Sequence, residues 1–302
     1  MSSLSPSTSS AATGALPGRI PKPPSLDKVV QRITEVSTLP HIAIKVMEVA
    51  NDPDAGAAEL KNVVEADASL SARVLKTVNS SAYALRVAVT SLHQAISLLG
   101  FSQVRNLAIT ASVSESFKKD QTIGSYRRSR LWRHLVSVGL CARLIAARRS
   151  MPDFEDAFLA GLLHDFGIIL EDQYVHEPFE AMMSSLDTSR PLVDTEQEHL
   201  GFDHTTLGAR IAESWKFPPV VRATIRLHHM SDNCQDDAAP IVVCVEIANF
   251  LCTLKGISSV GEKLVEPPRR AVASLGLTKE DLKVLAVDLD EEMSRHDSLF
   301  QL

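Results

Sequence analysis

The sequence predicts an all-α protein built from short helices. Three observations carry that expectation. From residue 26 onward apolar side chains recur at helical spacing almost without a break, as in Leu70, Val74 and Val78. The segment ends carry caps and stops, such as Asp67, Ser91 and Gly100. No stretch shows the sustained period-two alternation, rich in β-branched residues, that a sheet would need. Composition agrees, since 45% of the 302 residues are hydrophobic but only 5% aromatic. Ala, Leu, Val and Ile therefore supply the core, and the chain is long enough for two subdomains.

Residues 1–25 read MSSLSPSTSSAATGALPGRIPKPPS, too polar and Pro-rich for a core. A flexible tail with an extended end is expected there. SLDKVVQRITEV then opens a helix behind Ser25. Ile42, Val46 and Val49 mark one face of the next helix, which the turn NDPDAG closes. Helices follow over 57–66 and 69–80, the second capped by Asp67. SLHQAISLLG runs from its N-cap Ser91 to its stop Gly100, and FSQVRNLAITASVSESF continues the series.

A polar break near 118–129 introduces a second group. LWRHLVSVGLCARLIAARR (131–149) places Leu131, Leu135, Val138 and Ala142 on one stripe. PDFEDAFLAGLLHDFG (152–167) has Pro152 near its start and Gly167 just past its expected end. Residues 203–217 are capped by Asp203 and halted by Pro218-Pro219, and 219–229 form a further helix. Residues 239–256 are the most apolar helix of all, and 277–295 open with Thr278 and Asp281 in capping-box spacing. No internal repeat is found. The expected division is a tail (1–25), an N-terminal helical subdomain (26–120), a helical core (121–256) and a C-terminal helical extension (257–302).

Net charge is −6 and the pI about 5.9, so no direct nucleic-acid binding is expected. The four arginines of YRRSRLWRH (126–134) are read as the solvated start of a helix rather than a phosphate-binding surface. No apolar run approaches the ~18–20 residues of a membrane span. The Ser-rich start lacks the pattern of a secretory signal. Cys141, Cys244 and Cys252 sit in apolar helical patterns, and with Cys234 they form no CxxC pair. They suit a reducing compartment, and a cytoplasmic protein is expected.

GLLHDFGIIL (161–170) places a His and an Asp in an otherwise apolar run, where each needs a partner. Of ten histidines, five stand in telling positions: His134, His164, His204, His228 and His229. His134 lies on the inward stripe 134, 138, 141, 145. His164 ends an apolar helix, with Asp165 about 100° further round. Those side chains diverge, so His164 can serve one ion while the Asp165 carboxylate reaches between two. His228-His229 closes its helix, and His204 sits in the first turn of another. Singly, a His on an apolar helix face is usually a satisfied core residue. Five together with an Asp, at the ends or inner faces of four helices, form a ligand set for a transition metal.

At this point the chain resembles the HDOD family, bacterial regulatory relatives of the HD-domain metal-dependent phosphohydrolases. The resemblance runs from about residue 26 to about 255. It is carried by LPHIAIKVMEV, DASLSARVLKTVNSSAYAL and TSLHQAISLLGFSQVRNLAI in the first half. WRHLVSVGLCARLIA, GLLHDFG, EHLGFDHTTLGARIAESWKFP and IRLHH carry it in the second. It implies an HDOD fold, with the N-terminal subdomain at 26–120 and an HD-like core at 121–256. By position, His134 matches the first metal His of the HD superfamily and His164-Asp165 its signature pair. His204, His228 and His229 match the extra His of the multinuclear branch. The late Asp of the superfamily falls on Asn249, a poorer ligand, and Glu246 lies one helical turn earlier. Where the cyclic-dinucleotide phosphodiesterases carry a Lys after HDxG, this chain has Ile168. MSDNCQDD, not a Gly-Tyr-Pro turn, follows His229.

The resemblance implies a regulatory signal-transduction protein without phosphodiesterase activity. It would act through a protein partner, with one or two ions of Fe, Mn or Zn, a nucleotide ligand, or neither. A metal-dependent phosphohydrolase and a di-iron oxygen-binding or oxidase site stand as alternatives. The Ser/Pro tail and the acidic segment DLDEEMSRHD (288–297) are candidate partner contacts.

Overall fold

The computed structural model describes residues 23–36, 40–52 and 54–302. The expected tail lies outside the described residues except for its last three.

The N-terminal group consists of α1 (Leu26–Val36), α2 (His41–Asn51), α3 (Ala57–Glu65), α4 (Ala68–Val78), α5 (Leu92–Leu99) and α6 (Phe101–Val113). The local signals act as the sequence implies. Asp67 Oδ1 accepts from Leu70 N at 2.9 Å, and Ser91 Oγ from Gln94 N at 3.2 Å. Gly100 turns the chain between α5 and α6 at φ +89°, a conformation that a side chain would strain. Leu70, Val74 and Val78 are fully buried.

The expected break at 118–129 holds a two-stranded hairpin, β1 (Thr122–Ile123) antiparallel to β2 (Tyr126–Arg127). It is tied down by Asp172, whose Oδ2 accepts from Tyr126 Oη at 2.9 Å and Arg128 Nε at 2.5 Å. One arginine of the supposed solvated run thus points inward.

The second group opens with α7 (Arg128–Arg148) and α8 (Phe154–Leu163). The expected helix over 152–167 is in fact broken after Leu163. His164 and Asp165 occupy the joint, and Gly167 is the second residue of α9 (Phe166–Tyr174) rather than a stop. Three helices not anticipated follow in part: α9 itself, α10 (His176–Ser184) and α11 (Leu192–Leu200). Their apolar patterns are short, and buried acids interrupt those of α9 and α11, so no clean period appears. Next come α12 (His204–Ser214), α13 (Pro219–Leu227), α14 (Ala239–Leu254), the short α15 (Arg269–Ser274) and α16 (Lys279–Arg295). The Thr278–Asp281 capping box of α16 forms as its spacing implies.

Close helix crossings position the functional side chains. A Cβ on Gly161 of α8 would lie 2.8 Å from Gly139 Cα of α7, so only paired glycines let these backbones touch. A Cβ on Gly167 would collide with the carbonyl of His204, which lets α9 and α12 cross backbone to backbone. α14 packs on α7 and α8, and α16 packs outside α7. The acidic face of α16 is engaged within the chain. Asp288 pairs with Arg148, Glu292 with Arg143 at 3.0 Å, and Asp290 with Lys255 at 2.9 Å. Among the described residues no helix is long and apolar enough to cross a membrane.

Candidate metal centre

The crossings bring one carboxylate into a ring of imidazoles. Asp165 Oδ2 lies 3.4 Å from His134 Nε2 and 3.2 Å from His164 Nε2. Its Oδ1 lies 3.2 Å from His204 Nε2 and 3.1 Å from His228 Nε2. His229 Nε2 reaches His204 Nε2 at 3.2 Å. His134, His164, His204 and His228 are all fully buried, and Asp165 nearly so. The expectation that His164 and Asp165 diverge is corrected by the break at the joint. Because the helix does not continue through them, both side chains turn to the same point. Asp165 nonetheless lies between two groups of histidines, as the spacing suggested.

The other ring nitrogen of each buried histidine faces an acceptor. Nδ1 donates to Ile257 O in His134 (2.7 Å), to Gly161 O in His164 (2.8 Å) and to Glu196 Oε2 in His204 (2.7 Å). In His228 it faces the carbonyls of Thr224 and Ile225, both at 3.1 Å. A neutral imidazole has one N–H, so these bonds leave each Nε2 as a bare lone pair. Four lone pairs therefore converge on a carboxylate that is itself all lone pairs. Among the described residues Asp165 Oδ1 and His228 Nε2 accordingly have no hydrogen-bond partner although buried.

Such an arrangement fits a cation. Two ligands about 2.1 Å from one ion lie roughly 3.0–3.4 Å apart, the spacing found here. The donor atoms divide into two sets that share Asp165: His134 and His164 on one side, and His204, His228 and His229 on the other. A space of about 20 Å³ bordered by Asp165, His204 and His229 has room for one water or ion. The donor set of neutral imidazole and carboxylate suits Fe, Mn or Zn. The residues present thus fit a pair of transition-metal ions.

The electrostatics agree. Burial opposes charge on Asp165, but His164 and the surrounding rings hold its carboxyl well below the usual range. Burial pushes the His164 ring down to about 4 and, with His228 and His204, holds His229 well below its ordinary value. His204 goes the other way. Burial opposes its charge, yet Glu196 and Asp165 hold it well above the usual imidazole value.

Asn249, an amide where the resemblance expects an Asp, borders the same small space as Asp165, His204 and His229. It is buried on α14 and lines, with His228 and His229, a cavity of about 330 Å³ that opens over the cluster. Ile168 is fully buried in the core, away from that cavity. The cavity wall carries three carboxylates, Asp203, Glu246 and Glu266, against a single cation, Arg226. Glu246 Oε2 accepts from Ser231 N at 3.2 Å, and burial raises its pKa. Leu264 to Pro267 also line the cavity, so part of the supposed extension beyond 256 completes the site.

The HDOD domain family matches residues 36–231. The chain belongs to the HDOD family. Solved structures agree. The crystal structure of an HDOD domain protein of unknown function from Geobacter sulfurreducens is 26% identical. It covers 91% of this chain and 98% of its own, with a TM-score of 0.74. A candidate signal transduction protein from Marinobacter aquaeolei VT8 is 27% identical, covers 91% of this chain and 63% of its own, and has a TM-score of 0.71. An uncharacterized protein of Treponema pallidum (strain Nichols) is 23% identical over 226 residues, 74% of this chain and 43% of that protein. The chain thus spans less than half the length of that curated relative.

Two site residues escaped the sequence reading. Glu196 lies eight positions before His204 and Glu171 six after Asp165, and both are fully buried. The signal available was an acid on the inner face of a helix beside a candidate ligand, but α9 and α11 were not recognised as helices.

Proposed function

We propose that this HDOD protein is a regulatory, metal-binding member without phosphodiesterase activity. Two transition-metal ions would share Asp165, and their occupancy would set the conformation presented to a protein partner. The observation that carries this reading is the convergence of four imidazole Nε2 atoms on one buried carboxylate, with His228 Nε2 and Asp165 Oδ1 left without a hydrogen-bond partner among the described residues. A bundle held together by hydrogen bonds alone would place a donor between each pair. Against hydrolysis stand the neutral Asn249, the buried Ile168 and the acid-lined cavity, which repels a polyphosphate or cyclic dinucleotide. Four free, buried cysteines support a cytoplasmic setting.

The test is metal content by elemental mass spectrometry on untagged protein purified without chelator. About two equivalents of Fe, Mn or Zn are expected. No metal after loading with Fe and Mn would overturn the reading and leave the His–Asp cluster structural. One observation favours a second reading, a metal-dependent phosphohydrolase: the cavity opens directly over His228 and His229. Turnover of bis(p-nitrophenyl) phosphate by the metal-loaded protein would select it.

A further inference from the structure

The ring nitrogens behind the cluster are not treated alike. Those of His134, His164 and His228 donate to main-chain carbonyls. His204 alone donates to a carboxylate. Glu196 Oε2 accepts both its Nδ1–H at 2.7 Å and its backbone N–H at 3.1 Å. Glu196 is fully buried, and among the described residues the His204 ring is the only basic group paired with it. Behind it stands Glu171, equally buried, whose two oxygens find no other partner among the described residues. Two carboxylates cannot both stay charged in such a place. Burial and the charge of Glu196 push the Glu171 pKa well up.

The geometry places a carboxyl side chain, which accepts two N–H groups, behind one histidine of one donor set. A carboxylate accepting Nδ1–H moves electron density onto Nε2 and strengthens its bond to an ion, while a carbonyl does so far less. It also fixes the ring, because the backbone and ring N–H groups of His204 are gripped by one oxygen atom. We propose that Glu196 is a positioning residue that tightens only the ion on the His204–His228–His229 side. The two positions that share Asp165 are then unequal, and the position held by His134 and His164 is the one that empties first. This inference rests on the metal reading above.

The experiment is calorimetric titration of Mn(II) into metal-free protein. Wild type is expected to show two separable binding steps. Glu196→Gln keeps the shape of the side chain and an oxygen for Nδ1–H but removes the charge. It should weaken the tighter step by about 10–100-fold and leave the weaker step unchanged, with the helical circular dichroism intact. His134→Ala should remove the step that Glu196→Gln spares, which assigns the two positions. Both steps unchanged in Glu196→Gln, or both weakened alike, would overturn the proposal while leaving the metal centre in place. A wild type that binds no Mn(II) would overturn the metal reading and this inference with it. Should Glu196→Gln fail to fold, Zn-loaded wild type carries the test by NMR. The His204 N–H should then lie furthest downfield of the buried rings, and a position among the others would refute the role of Glu196.

Discussion

His228 Nε2 and Asp165 Oδ1 lie 3.1 Å apart, both buried, with no hydrogen between them. The His228 N–H is directed the other way, to the carbonyls at the end of α13. Two acceptors in contact inside a protein repel and each forfeits its hydration, at about 1–3 kcal/mol per unmet group. The same contact repeats around the carboxylate with three other rings. A cation between them would satisfy both, and on the metal-binding reading proposed above the HD joint between α8 and α9 would hold it.

Replacing His164 by Ala should lower metal content without unfolding the bundle. Its Nε2 serves only the His134 side, so one ion of two should be lost while the other persists. Elemental analysis together with circular dichroism reads this directly. Full retention of metal would remove His164 from the ligand set. Collapse of the helices would make the HD pair a structural element instead.

Acid should weaken the metal-free protein through His164. Its folded pKa is depressed to about 4 from the ordinary 6.5, because burial disfavours the charged ring. The unfolded chain therefore binds a proton in that window and the folded chain does not. Stability from this group is complete above pH 6.5 and lost as pH falls toward 4, by about 3 kcal/mol in all. His204 has the opposite sign, being raised, so its contribution is present below pH 6.5 and lost as pH rises through its folded value. Comparing denaturation of wild type and His164→Gln at several pH values isolates the first effect. A difference that does not grow between pH 6.5 and 4 would contradict it.

Much of the fold could be read from caps, stops and periodicity, as at Asp67, Ser91, Gly100 and Thr278. The histidines and Asp165 could be singled out because such groups are costly on apolar faces. Their convergence could not be read, since it depends on where α7, α8, α9, α12 and α13 cross. Gly139, Gly161 and Gly167 decide those crossings, and a glycine in a helical pattern looks the same whether it ends a helix or touches another. Gly167 was read as an end for that reason. Glu196 and Glu171 were invisible because a buried acid on a short helix resembles a surface one.

Gly167→Ala should therefore act on the site as well as on the fold. The added Cβ would strike the His204 carbonyl, which is backbone and cannot swing aside. Overpacking of this kind costs about 1–3 kcal/mol. Because the displaced residue is His204, affinity for the ion on its side should fall beyond what the drop in melting temperature implies. An unchanged binding isotherm in a destabilised Gly167→Ala would separate the crossing from the site.

Asn249→Asp would add a carboxylate at the edge of the cluster, where the chain carries an amide. Metal affinity should rise, since an anionic oxygen binds a divalent ion better than a neutral one. Calorimetry with Mn(II) measures that gain. Hydrolysis of bis(p-nitrophenyl) phosphate by the loaded variant, absent in wild type, would show that the missing carboxylate is what separates this chain from an enzyme. No gain in affinity would place residue 249 outside the reach of the ions.

Glu171→Gln should stabilise the protein, and increasingly so as pH rises. The folded pKa of Glu171 is held well above 4.5 by burial and by Glu196. Between 4.5 and that folded value the folded chain keeps a proton that the unfolded chain has released. Stability therefore falls with rising pH, by about 1.4 kcal/mol for each unit by which the folded value exceeds the unfolded one. Gln keeps a donor toward Glu196 without a proton to lose, so the variant lacks this penalty. Denaturant unfolding of both proteins should coincide near pH 4 and separate by pH 7, with the variant the more stable. Parallel curves across that range would mean that Glu171 is ionised in the fold.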